Sequence, residues 1–135
     1  MNKRILIIDD EHAIRMFLKD VFIRSGCTVT TASNGVDGLL LARGNGFDAI
    51  VTDMVMPDME GVEMVGKLRT GGTDTPIVAI TGYPDGGARL GELKDFCVDS
   101  VIYKPFLARE VLAAVEQAIT NRKMTPMCGR IENEE

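Results

Sequence analysis

Five short apolar runs, each followed by an amphipathic stretch, constrain this chain more than any other feature. The runs cover residues 4–9, 27–31, 47–52, 77–80 and 100–103, and four of them are dominated by Ile, Val or Leu with little polar alternation. A strand apolar on both faces must be covered on both, which points to a parallel sheet between two layers of helix. The intervening stretches supply those helices. Ile14, Phe17, Leu18, Val21 and Phe22 repeat at i, i+3, i+4, i+7 and i+8, and predict a first helix ended by Ser25-Gly26. Ser33 or Asn34 caps a second helix through Leu39, Leu40 and Leu41, stopping near Gly44 and Gly46. A third starts after Gly61, buries Val62, Val65 and Leu68, and stops before Gly71-Gly72. The last runs from about 107 to 121 with Val111, Leu112, Val115 and Ile119 on one face. The fourth, roughly 85–96, is the weakest, because Gly86, Gly87 and Gly91 each cost about 1 kcal/mol relative to Ala. It reads either as a short, frayed helix or as a segment kept mobile for a switch.

At 135 residues and 14.7 kDa the chain is one domain. Its apolar runs are far too short to span a bilayer, and its first residues lead into a strand, not a signal peptide. Three cysteines, Cys27, Cys97 and Cys128, form no paired spacing, so they read as plain thiols in a reducing, cytoplasmic compartment, without disulfide or zinc. A net charge of −5 argues against a nucleic-acid surface. Arg122-Lys123 and Arg130 read as helix-end and tail solubility. No repeat or second domain is visible: residues 1–121 form the domain, and residues 122–135, with Pro126 and Gly129, read as a flexible tail or linker stump.

Strand–helix alternation with right-handed crossovers puts ligands beyond the C-terminal strand ends. Asp9-Asp10, Asp53, Thr81 and Lys104 each follow or end an apolar run, so they share one rim. Clustered carboxylates repel unless a cation sits between them. Magnesium suits an all-oxygen site with few protein carboxylates and several waters. Lys104 adds a positive charge and Thr81 a hydroxyl donor, while Asp53 is the candidate nucleophile. Singly, each residue has a bland reading: an N-cap for Asp9 or Asp10, a turn residue for Thr81, a solvated charge for Lys104. Their coincidence at consecutive strand ends is the signal.

The motif set is Asp9-Asp10, Asp53 followed by Met56-Pro57 and Gly61, Thr81-Gly82, and Lys104-Pro105-Phe106. On these residues the chain resembles, over about 3–121, the CheY-like receiver domain of two-component response regulators. The resemblance implies a flavodoxin-like, doubly wound sheet of order 2-1-3-4-5 with five helices. It implies that Asp53 accepts a phosphoryl group from a sensor histidine kinase or phosphotransfer protein, in a Mg2+-dependent reaction. Asp10 then binds the metal directly, Asp9 mostly through metal-bound water, and Val55 through its backbone carbonyl. Lys104 contacts the phosphoryl group and is followed by a cis bond to Pro105, and Thr81 moves toward the phosphoryl oxygen on activation. The chain is then a phosphorelay switch and not an enzyme; its output is a changed surface for an unidentified downstream protein.

Departures from the family pattern sharpen these expectations. The aromatic common three residues before the lysine is Val101 here, and Tyr103 is expected on the opposite sheet face. Val55 and Tyr83 occupy variable positions that influence loss of the phosphoryl group. His12 reads as a surface residue, and Met54, Met56, Met59 and Met64 as core and loop filling rather than a partner-adaptable surface. Two rival classes fit less well. A haloacid-dehalogenase-type phosphotransferase needs a second Asp where Val55 stands. A flavin carrier needs a phosphate loop where Asp9-Asp10-Glu11 would repel phosphate.

Overall fold

The computed structural model describes residues 1–56, 58–82 and 90–124. Pro57, Tyr83, Pro84, Gly86, Gly87 and residues 125–135, on which several expectations rest, lie outside them. The order is β1 (Arg4–Ile8), α1 (His12–Arg24), β2 (Thr28–Ala32), α2 (Gly35–Gly44), β3 (Ala49–Asp53), α3 (Gly61–Thr70), β4 (Ile77–Thr81), α4 (Leu90–Asp95), β5 (Ser100–Tyr103) and α5 (Ala108–Met124). All four pairings are parallel and the sheet order is β2-β1-β3-β4-β5, as the resemblance implied.

The lack of polar alternation now has its explanation. Successive side chains point to opposite faces. Leu6, Ile8, Ile50, Ile77 and Ala79 pack with α2, α3 and α4 residues such as Leu39, Val65 and Leu93. Ile5, Ile7, Val51, Val78 and Ile80 pack with Leu18, Phe22, Val111 and Val115 from α1 and α5. Both faces are dry, so both parities are apolar. Gly38 lets α2 lie close on β1: a Cβ there would sit 2.6 Å from the Ile8 side chain. Met54, Met56 and Met64 are buried in the same layer and Met59 packs on it, in keeping with the filling role.

Helix ends follow their local chemistry. Gly26 leaves α1 with φ +90°, the left-handed conformation that favours glycine. Asn34, not Ser33, caps α2, its side chain accepting from Asp37 N at 2.8 Å. Several boundaries differ from expectation, among them β3 and β4, which extend to include Asp53 and Thr81, and α5, which continues to Met124 rather than ending near 121. The extension of α5 is held by Arg122, which donates to the carbonyls of Asp74 and Cys97 and to Asp99 Oδ1.

That contact belongs to a network at the N-terminal edge of the sheet. Arg69 on α3 donates to the carbonyls of Phe96 (2.8 Å), Thr73 (3.0 Å), Thr75 (2.9 Å) and Cys97 (3.2 Å). Burial, and then the nearby Arg122, lower its pKa to about 10. Asp99 completes the set by accepting from Ile77 N. Cys97 is disulfide-bonded, contrary to the reading of all three cysteines as plain thiols. Cys27 is a buried free thiol.

Candidate functional site

Asp53 ends β3, the central strand, and is delivered to the C-terminal rim by five residues with no exposed position. Its residue is 4% exposed. Oδ1 accepts from Val55 N at 3.2 Å and Oδ2 lies 3.5 Å from Lys104 Nζ. Burial raises its pKa, opposed by the Val55 N–H and by Lys104, and reinforced by Asp10. The tight turn that follows needs Gly61: a Cβ there would lie 2.5 Å from the Asp53 carbonyl oxygen. Gly61 N closes the loop onto Met54 O at 3.0 Å.

Asp9 and Asp10 come off β1 beside it, and one oxygen from each of Asp9, Asp10 and Asp53 lies within 4.8 Å of the others. Asp9 is 1% exposed. Its Oδ1 accepts from Glu11 N at 2.9 Å, while its Oδ2 is the one buried side-chain polar atom with no hydrogen-bond partner among the described residues. Burial is the largest cause of a pKa raised to about 6, with the Asp53 and Glu11 charges adding to it. A buried carboxylate oxygen without a donor is costly, and a cation removes that cost. Three oxygens of one hard donor type therefore fit a divalent, oxygen-seeking ion.

Lys104 follows β5 and precedes a cis bond to Pro105. Its N–H donates to Thr81 O at 2.8 Å. Burial alone would lower the ammonium's pKa, but the Glu11 hydrogen bond and the Asp53 and Asp9 charges outweigh it, and the pKa is raised. Thr81 ends β4 fully buried. In the strand alternation it stands with Ile77 and Ala79, on the α2–α4 face, whereas Asp53 stands with Ala49 and Val51 on the α1–α5 face. Val55 is half exposed at the mouth of the site. His12 is exposed, its Nδ1 3.2 Å from Arg15 Nη2.

One expectation about this region is corrected. Tyr103 does not lie on the face opposite Val101. Residues two apart in a strand share a face, Val101 packs in the α2–α4 layer, and only the intervening Ile102 points the other way. Tyr103 is register partner of Thr81 and partly exposed.

Three polar residues of the site went unread in the sequence. Glu11, noted only as part of an acidic run, pairs with Lys104 at 3.0 Å across 93 positions. Arg15 Nη1 donates to Asp9 O at 2.8 Å and steadies the β1–α1 turn. Asp58 accepts from Gly35 N and Val36 N, both at 3.1 Å, and so ties the β3–α3 loop to the N-terminus of α2. Against a desolvation effect of opposite sign, the N–H groups of Val36, Gly35 and Met59 lower its pKa. The acidic run was a visible cue for Glu11; nothing local pointed Asp58 at α2.

Comparison with known proteins agrees with this geometry. The sequence matches the response regulator receiver domain family over residues 5–116. The response regulator MprA of Mycobacterium ulcerans is 34% identical over 124 residues, 92% of this chain and 53% of that protein. The chain thus spans about half the length of the curated relatives it matches. A CheY-like response regulator receiver domain protein from Methanospirillum hungatei has a TM-score of 0.83 at 26% identity, covering 92% of this chain and 98% of the other. The response regulator TrrA of Thermotoga maritima, solved in complex with Mg(2+)-BeF, has a TM-score of 0.76 at 30% identity, covering 86% of this chain and 98% of the other.

Proposed function

The chain belongs to the response regulator receiver domain family, and from that premise we propose that Asp53 is its phosphoacceptor and Mg2+ its cofactor. The observation that carries the proposal is the meeting of three carboxylates within 4.8 Å, one with a buried oxygen that has no partner among the described residues, beside an ammonium 3.5 Å from Asp53. The donor is a phosphohistidine on a sensor kinase or phosphotransfer protein. An Asp53 carboxylate oxygen attacks phosphorus, the P–N bond breaks, and its electron pair returns to the imidazole nitrogen. An acyl phosphate remains. Val55 N–H orients the acceptor carboxylate through Oδ1, and Lys104 offsets charge growing on the phosphoryl oxygens. Asp10, Asp53 and the Val55 carbonyl would hold the metal directly and Asp9 mostly through water. Bound magnesium supplies charge neutralisation and alignment of the phosphoryl oxygens.

Thr81 starts on the other face of the sheet from Asp53, so its engagement requires a shift at the end of β4, and that shift is the route by which the site reaches α4 and β5. The domain signals rather than turns over a substrate, acting in the cytoplasm through a protein-binding surface whose partner is unidentified. Among the described residues no helix is long and apolar enough to cross a membrane. The dehalogenase-type alternative lacks its acid, because Val55 fills that position. The test is intact-mass measurement after incubation with acetyl phosphate and Mg2+. One phosphoryl group is expected on the wild type and none on Asp53→Asn; equal labelling of both overturns Asp53 as the acceptor.

A further inference from the structure

Lys104 serves two carboxylates, and the nearer is not the acceptor. Its Nζ is 3.0 Å from Glu11 Oε1 and 3.5 Å from Asp53 Oδ2. The backbone on both sides is fixed: Glu11 N donates to Asp9 Oδ1, and Lys104 N donates to Thr81 O. Glu11 occupies the N-cap position of α1 yet makes no side-chain cap bond, so its carboxylate is free to reach across the rim to the β5 end. Asp53 cannot approach in return, being buried at the end of the central strand and held by Val55 N–H.

We propose that Glu11 is a positioning residue that draws Lys104 toward itself and partly away from Asp53 in the resting domain, and yields it when Asp53 is phosphorylated. This rests on the reading of Asp53 as phosphoacceptor. A phosphoryl group brings a charge of about −2 and three strong acceptor oxygens to Asp53. The single charge of Glu11, more than half exposed and screened by solvent, then loses the competition for the ammonium. Breaking the Glu11–Lys104 pair is therefore a step in phosphorylation itself. It releases the start of α1 from the end of β5, two elements otherwise separated along the chain by the whole domain. Because an exposed pair is weak, the hold is a modest one: it tunes the rate and does not block the reaction.

Two substitutions separate a held ammonium from a general field effect. Glu11→Gln removes the charge, whereas Glu11→Asp keeps the charge and withdraws the carboxylate by one methylene. Each is compared with wild type for the initial rate of Asp53 labelling by acetyl phosphate, at a Mg2+ concentration shown to saturate that variant. Lysine-selective NMR of the metal-free proteins follows the Lys104 side-chain methylene signal. Both variants are expected to label about two- to fivefold faster, and both to shift the Lys104 signal. Acceleration by Gln alone, with Asp like wild type, overturns the proposal in favour of a field effect. Unchanged or slower labelling in both also overturns it. If labelling survives Asp53→Asn, the phosphoacceptor reading fails instead, and the Lys104 signal still reports whether the resting pair exists.

Discussion

At the N-terminal edge of the sheet, Arg69 gives its donors to the carbonyls of Phe96, Thr73, Thr75 and Cys97; at the C-terminal edge, Asp9 keeps a buried oxygen with no partner among the described residues. Both edges bury charge under the same strands. At the first, Arg122 and Asp99 join Arg69, and the contacts tie α3 and α5 to the loops that lead into β4 and β5. At the second, carboxylates face carboxylates, and the pKa values of Asp9 and Asp53 are raised. A charge satisfied from within stabilises the fold and has little left to offer a ligand. One left short destabilises the free protein and is stabilised by whatever cation or phosphoryl group arrives.

If that contrast holds, the largest effect of any single change on stability belongs to the satisfied edge. Arg69→Ala takes a donor from four carbonyls, Cys97 O keeping its bond from Arg122, and should cost about 3–5 kcal/mol, the range for breaking a buried charge network. Chemical denaturation measures it; a loss below about 1 kcal/mol would put the network on a par with surface pairs.

The strained edge should behave with the opposite sign. Asp9 has a folded pKa of about 6 against an ordinary 3.8. Between those values the unfolded chain has already given up a proton that the folded one retains. In magnesium-free buffer stability should therefore fall as pH rises from about 4 to 6, by roughly 2–3 kcal/mol at most. Asp9→Asn should flatten that slope and make the metal-free protein more stable than wild type at pH 7. A variant that is less stable there would mean the carboxylate is already compensated.

Independence of the edges is the next check. Saturating Mg2+ should raise the melting temperature of wild type and Arg69→Lys by similar amounts, and that of Asp9→Asn by less. Equal gains in all three would show that the ion is not relieving Asp9.

Smallest is Asp58→Ala, which leaves Gly35 N and Val36 N without their acceptor. Its loss of thermal stability should fall below that of Arg69→Ala, while its magnesium affinity weakens because the loop carrying Val55 is no longer tied to α2. An unaltered affinity would limit Asp58 to capping.

How much of this was legible follows from what each feature depends on. Strand and helix positions were readable because burial repeats with period 2 or 3.6, and that repeat is local. The rim of Asp9, Asp10, Asp53, Thr81 and Lys104 was readable too, since a parallel sheet sends every strand end the same way. Where two local options were equal, as with Ser33 and Asn34, only the folded backbone chose, by aiming Asp37 N at one side chain. The face of Tyr103 was also within reach of the sequence, because strand period alone settles it; the expectation there misapplied that period.

The polar partnerships were a different matter. Glu11 with Lys104, Asp58 with the start of α2, and Arg69 with the carbonyls before β4 and β5 join residues that share no periodicity. A hydrogen bond is decided within a few tenths of an ångström, after sheet order and loop paths have brought distant segments together. The sequence alone determined that carboxylates and an ammonium meet at one rim. Only the tertiary structure decided that the ammonium rests nearer Glu11 than Asp53, because apolar burial places whole elements while short-range polar geometry selects among the neighbours they bring.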